Sequence, residues 1–164
     1  MTNTPMQTIH VSEIYIKASP QAIWDAITTP EWTARYGYRG PAHYDLRPGG
    51  KYLAKATKQM RDYGMAEDII DGEVIEASPP HKLVQTYRFL FSEANKQEGF
   101  TKLTWEIQET ASGFCRLSVT HELGSAKIMA AAVVTPFSES GTGGWNWILS
   151  DLKSLLETGK TMAG

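Results

Sequence analysis

The chain has 164 residues, 41% of them apolar, a formal net charge of −2 and a single cysteine, which is the size of one ordinary domain with enough apolar residues for a full core. Lys and Arg are scattered along it, which excludes the electrostatic footprint of a nucleic-acid or anionic-membrane binder, and no stretch approaches the roughly 20 apolar residues of a membrane span. Cys115 has no intrachain partner, and residues 1–7 are polar with no apolar run behind a positive segment, so one cytoplasmic domain spanning 1–164 is the expectation.

The first element, residues 10–18 (HVSEIYIKA), alternates β-branched and polar residues as a strand with one buried face does. Ser19-Pro20 then reads as a helix start, a capping hydroxyl followed by proline where its missing N–H costs nothing, and Ile23, Trp24 and Ile27 share one face of that helix. Thr29-Pro30 repeats the device and predicts a second short helix through Trp32 to about Tyr36.

Turn signals dominate from residue 45 onward: Pro48-Gly49-Gly50, Tyr63-Gly64, Ile70-Asp71-Gly72, Ser78-Pro79-Pro80 and Ser112-Gly113. They separate five predicted strands at 45–55, 66–77, 82–91, 101–109 and 114–122. With the first strand this makes an antiparallel meander of six or seven. Residues 126–134 (AKIMAAAVV) are apolar where a polar loop is usual, and with Pro136 and Gly141 to Gly144 as a hinge they read as a lid over a cavity or part of a subunit interface.

The last element is the most periodic. Trp145, Ile148, Leu149, Leu152, Leu155 and Leu156 fall at helical spacing, Asn146, Ser150, Asp151, Lys153, Ser154 and Glu157 face away, and Gly159 ends the helix. Trp147 lies on the far side with Asp151 and Ser154, exposed unless a partner subunit covers it; with residues 126–134 it makes a homodimer the expected state. A sheet and a long helix, each apolar on one side, cover each other. The fold class is therefore α+β, in the order strand, two helices, strands, helix.

Five segments in this order, 14–29 (IYIKASPQAIWDAITT), 45–52 (DLRPGGKY), 72–87 (GEVIEASPPHKLVQTY), 117–123 (LSVTHEL) and 144–159 (GWNWILSDLKSLLETG), resemble the activator-of-heat-shock-ATPase-like branch of the SRPBCC superfamily, also called START-like or birch-pollen-allergen-like. The resemblance spans nearly the whole chain. It implies the helix-grip fold, with a hydrophobic cavity between a curved sheet and the C-terminal helix. Superfamily members range from carriers of lipids and other apolar molecules to cyclases. The branch takes its name from a eukaryotic co-chaperone in which a comparable domain follows a separate chaperone-binding domain; only the former is matched here.

Alternation then nominates the cavity lining, because residues two apart on a strand share a face. Leu103, Trp105 and Ile107 form one such set and Leu117, Val119 and His121 another. On the strand from Lys82, alternation leaves Val84, Thr86 and Arg88 or Gln85, Tyr87 and Phe89 as the inward face; aromatic content favours Tyr87 and Phe89. Trp145, Leu149 and Leu152 supply the helix side, and Trp24, Trp32 and Tyr36 close the other end. His121 has two readings, a donor or general base toward a ligand, or a core histidine satisfied by its neighbours.

The remaining chemistry is sparse. The four histidines are dispersed, there is no metal-ligand spacing, and no phosphate-binding loop, dinucleotide fingerprint or nucleophile elbow is present. No metal or cofactor is expected. The leading expectation is a binding protein for an apolar or aromatic small molecule, followed by a cyclase- or hydrolase-type enzyme using His121, and last by a chaperone-ATPase-activating interaction module.

Overall fold

The computed structural model describes residues 8–135 and 143–162. Strand β1 (Thr8–Ile16) is followed by helices α1 (Pro20–Thr28) and α2 (Pro30–Thr33), then by β2 (Ala42–Tyr44), β3 (Lys51–Lys55), α3 (Lys58–Asp62), β4 (Asp68–Ser78), β5 (Lys82–Phe89), α4 (Glu93–Glu98), β6 (Thr101–Glu109), β7 (Cys115–Gly124), α5 (Lys127–Val133) and α6 (Gly144–Thr158). The strands form one seven-stranded antiparallel sheet in the order β1-β7-β6-β5-β4-β3-β2. It is the helix-grip arrangement, and the meander from β2 to β7 runs in sequence order with β1 added at the far edge.

The Ser19-Pro20 start works as the sequence suggests: Ser19 Oγ accepts from Ala22 N at 3.1 Å. Thr29-Pro30 works only in part. Pro30 opens α2, but Thr29 Oγ1 donates back to Asp25 O, so α2 is a single turn that stops at Thr33 instead of reaching Tyr36. Of the strand expected over 45–55 only β3 forms, and it pairs with β2, which lies before that span. The turn residues between the two lie inside that span, with Gly50 N donating to Arg47 O and Asp45 N to Lys51 O.

β4 carries a sharp local demand. A Cβ on Gly72 would stand 2.0 Å from Thr86 O, so only glycine permits this approach of β4 to β5. The pairing then shifts register between Val74 and Glu76, an irregularity that adds bend and twist to the strand.

The core lies between the sheet and helices α1 and α6. From the sheet come Leu83, Leu103, Ile107, Leu117 and Val119; from the helices come Ile23, Trp24, Leu149, Leu152 and Leu155, all buried. Gly159 ends α6 in the left-handed conformation, its N–H returning to Leu155 O at 2.9 Å. Asp151 corrects the amphipathic reading of this helix, since it is buried. Its carboxylate accepts from Gly37 N and from Met162 N, both at 2.8 Å, which ties α6 to the loop after α2 and to the C-terminal segment. Trp147 is half-buried and not fully exposed, because the ring of Tyr38 lies over it with centroids 5.4 Å apart.

Residues 127–133 are helical, which the apolar run alone did not reveal. Glu98 of α4 caps this α5 helix, its two carboxylate oxygens accepting from Ile128 N at 2.8 Å and Met129 N at 2.9 Å. Met129 and Val133 point into the core. Pro136 and the Gly141-Thr142 part of the hinge lie outside the described residues. No described helix is long and apolar enough to cross a membrane.

Candidate functional site

Between the sheet, α5 and the start of α6 lies a cavity of about 450 Å³, within the usual range for small-molecule sites. Ile69, Ile70, Tyr87 and Phe89 face it from the sheet, Met60 from α3, Ile128 and Ala132 from α5, and Trp145 and Ile148 from α6. Among the described residues no charged side chain lines it. Behind it is a smaller space of about 110 Å³ that shares Tyr38, Ile69, Ile70, Tyr87, Trp145 and Ile148, and adds Tyr36, Tyr44, Tyr52, Leu103 and Trp105.

The sheet register explains this wall. Tyr87 pairs with Thr101, Gln85 with Leu103 and Leu83 with Trp105, so Leu83, Gln85, Tyr87 and Phe89 share the inner face and the aromatic choice on β5 is the correct one. Arg88 points out, in a two-pronged pair with Asp71 at 3.0 and 2.7 Å and over the ring of Phe100. Four phenols gather at the inner end. Tyr44 Oη donates to the buried Gln85 Oε1 at 2.8 Å, Tyr36 Oη donates to Ala26 O at 2.8 Å, and the Tyr44, Tyr52 and Tyr87 rings form a stack with centroids 4.6 and 6.0 Å apart. Burial pushes the pKa of all four well above the ordinary phenol value, so they remain protonated.

Of the residues nominated from sequence, Tyr87, Phe89 and Trp145 line the large cavity and Tyr36, Leu103 and Trp105 the inner one. Trp24, Ile107, Leu117, Val119, Leu149 and Leu152 line neither; they fill the interior where α1 and α6 meet the sheet. Trp32 is half-buried, stacked under the Arg35 guanidinium at 4.6 Å, because the single turn of α2 leaves it beside the core.

His121 does not line the cavity either. Trp145 Nε1–H donates to its Nδ1 at 3.1 Å, and its Nε2 lies 2.7 Å from Thr101 Oγ1, which itself donates to Tyr87 O at 2.8 Å. Nδ1 is an acceptor here, so the proton sits on Nε2 and is given to Thr101. Both nitrogens are occupied and the ring is fully buried. Burial, with a smaller contribution from His10 across the β1–β7 pairing, lowers its pKa to about 4. The acid-base reading of His121 is therefore corrected: it is a neutral link between α6 and the sheet, out of reach of a cavity occupant.

The sequence reading missed Met60, Ile69, Ile70 and Asn95, whereas Ile128 and Ala132 belong to the segment it read as a lid or an interface. Asn95, on α4, is buried and lines the cavity; its N–H is capped by Ser92 Oγ, whose hydroxyl donates to Asn95 Oδ1 at 2.9 Å. Ser92, three residues before it, was the available signal of this short helix. Cys115 is buried with its thiol pKa raised by burial. Among the described residues, no three His, Cys, Asp or Glu side chains gather as a ligand set.

Residues 17–157 match the family model described as activator of Hsp90 ATPase homolog 1-like protein. No curated protein matches the chain. Solved structures do. The Aha1 dimer from Colwellia psychrerythraea is 19% identical, covers 93% of this chain and 98% of that one, and superposes with a TM-score of 0.64. An HSP90 activator from Plasmodium falciparum is 20% identical over 94% of this chain and 91% of that one, with a TM-score of 0.54. CalU16 from Micromonospora echinospora is 16% identical over 75% of this chain, with a TM-score of 0.56; the match spans 64% of that protein's length. At these identities the likeness establishes the fold.

Proposed function

The chain belongs to the activator of Hsp90 ATPase homolog 1-like family, and from that premise we propose that it binds an apolar or aromatic small molecule in the cavity between its sheet and α6, without covalent chemistry. One observation carries the reading. A space of about 450 Å³ remains among apolar side chains, where a protein that served only as a scaffold for partners would fill its interior to the close packing of ordinary cores. Burying roughly 200 to 300 Å² of ligand surface at about 25 cal/mol/Å² gives about 5 to 7 kcal/mol, an affinity from about two hundred to about ten micromolar. An enzyme reading through His121 has no support, because both ring nitrogens are engaged within the fold.

The test is native mass spectrometry of the freshly purified protein, followed by titration with the neutral probe phenylnaphthylamine. A discrete co-purifying mass, or saturable one-to-one probe binding, supports the proposal. Absence of both at hundred-micromolar probe concentration overturns it.

A homodimer is the second part of the proposal. Ile128 on α5 and Val134 just beyond it are 43% and 40% exposed, and the Colwellia relative was solved as a dimer. Light scattering that returns a monomer mass at tens of micromolar rejects this part alone.

A further inference from the structure

The cavity is not uniformly apolar. Tyr87 and Asn95 are 7% and 8% exposed, and both line it. Tyr87 Oη makes no hydrogen bond to any described residue, whereas Tyr36 and Tyr44 have partners in Ala26 O and Gln85. Asn95 Oδ1 already accepts from Ser92, while its Nδ2 has no acceptor among the described residues. An amide Nδ2 only donates, and a protonated phenol donates readily. Two largely buried residues thus line the space, each with a donor that no described residue meets, and no charged described side chain lines it.

We propose that the occupant is an uncharged, largely apolar molecule bearing an acceptor oxygen, of the ketone, ester or ether kind, which receives a hydrogen bond from Tyr87 Oη, Asn95 Nδ2 or both. The inference rests on the cavity-binding reading above. A carboxylate or phosphate is excluded by the same geometry, since an anion would leave water with no cation to meet it. Arg39, the charged residue at the inner space, already donates to Thr161 Oγ1 at 3.4 Å on the solvent side. A plain hydrocarbon would fit but would leave both donors unmet, and a buried unmet donor is costly.

Three probes on one aromatic frame separate these cases: acetylnaphthalene, ethylnaphthalene and naphthoate, titrated at neutral pH and followed by amide-resolved NMR on the intact chain. The ketone is expected to bind about tenfold more tightly than the hydrocarbon, the gain of one to two buried hydrogen bonds, and naphthoate at least tenfold more weakly than the ketone. In a Tyr87→Phe, Asn95→Ala double variant the ketone and hydrocarbon converge. Tyr87→Phe alone, which removes a hydroxyl that holds nothing in the fold, gives part of the same convergence should the double variant fold poorly. Equal binding of ketone and hydrocarbon to the unaltered chain, or tight binding of naphthoate, overturns the inference and leaves the cavity reading standing. Failure of all three probes to bind overturns both.

Discussion

Trp145 Nε1 lies 3.1 Å from Nδ1 of His121, and that bond connects the first turn of α6 to β7 of the sheet. It works only while the imidazole is neutral, because a protonated Nδ1 would set two donors against each other. The pKa of His121 is lowered to about 4 by burial and by His10.

The stability of the fold is expected to follow this group in acid. The folded pKa lies below the ordinary value near 6.5, so the unfolded chain takes up the proton first. The histidine's contribution is complete above about pH 6.5, declines as the pH falls toward about 4, and levels off below. The loss over that window is about 3 kcal/mol. Urea unfolding at intervals between these limits, against a His121→Gln variant that lacks the slope, isolates it from the carboxylates; parallel curves for the two proteins refute the assignment.

Asp151→Ala is expected to cost about 2 kcal/mol, since two part-buried backbone donors, Gly37 N and Met162 N, lose a charged acceptor supplied by a buried side chain. Denaturant midpoints measure it. A surface-like cost of about 0.5 kcal/mol or less contradicts the placement of this residue.

Glu98→Ala acts locally. Losing the carboxylate that receives Ile128 N and Met129 N is expected to loosen the first turn of α5 by about 1 to 2 kcal/mol. Hydrogen exchange of the amides of α5 should rise about tenfold while those of β6 and β7 remain unchanged. Uniform acceleration along the whole chain would show instead that α5 does not open independently.

Ala132→Trp is the occupancy test. Ala132 lines the cavity from the exposed side of α5, so an indole there fills space without displacing core atoms. Phenylnaphthylamine binding is expected to fall at least tenfold, with the melting temperature changed by no more than about 3 °C. Undiminished binding would locate the probe elsewhere on the protein.

Much of the fold was legible because its signals are local. Ser19-Pro20, the 3.6-residue spacing from Trp145 to Leu156 and the turn residues between strands each act over a few positions, and the strand predicted over 101–109 coincides with β6 (Thr101–Glu109). The site was less legible because it is assembled from distant elements. Alternation placed Leu117 and Val119 on the inner face correctly, yet an inner face supplies both core and cavity, and only the position of α5 and α6 above it decides which. Asp151 was misjudged for a related reason. Its partners, Gly37 N and Met162 N, belong to segments whose approach no helical periodicity encodes. The short helices α3 and α4 had signals in Thr57 and Ser92, whose side chains accept from Met60 N and Asn95 N, but each helix is too brief to show an apolar stripe.

The sheet order has a consequence for how the chain is made. Ile14 pairs with Leu117 and Ile16 with Cys115, so β1 pairs with a strand made about a hundred residues later, whereas β3 to β7 each pair with the strand made just before them. Such distant pairings are the slow ones. During synthesis Thr8–Ile16 therefore waits as an unpaired, β-branched segment until Cys115–Gly124 has emerged, and the nascent chain acquires its complete sheet only when β1 and β7 close that seam.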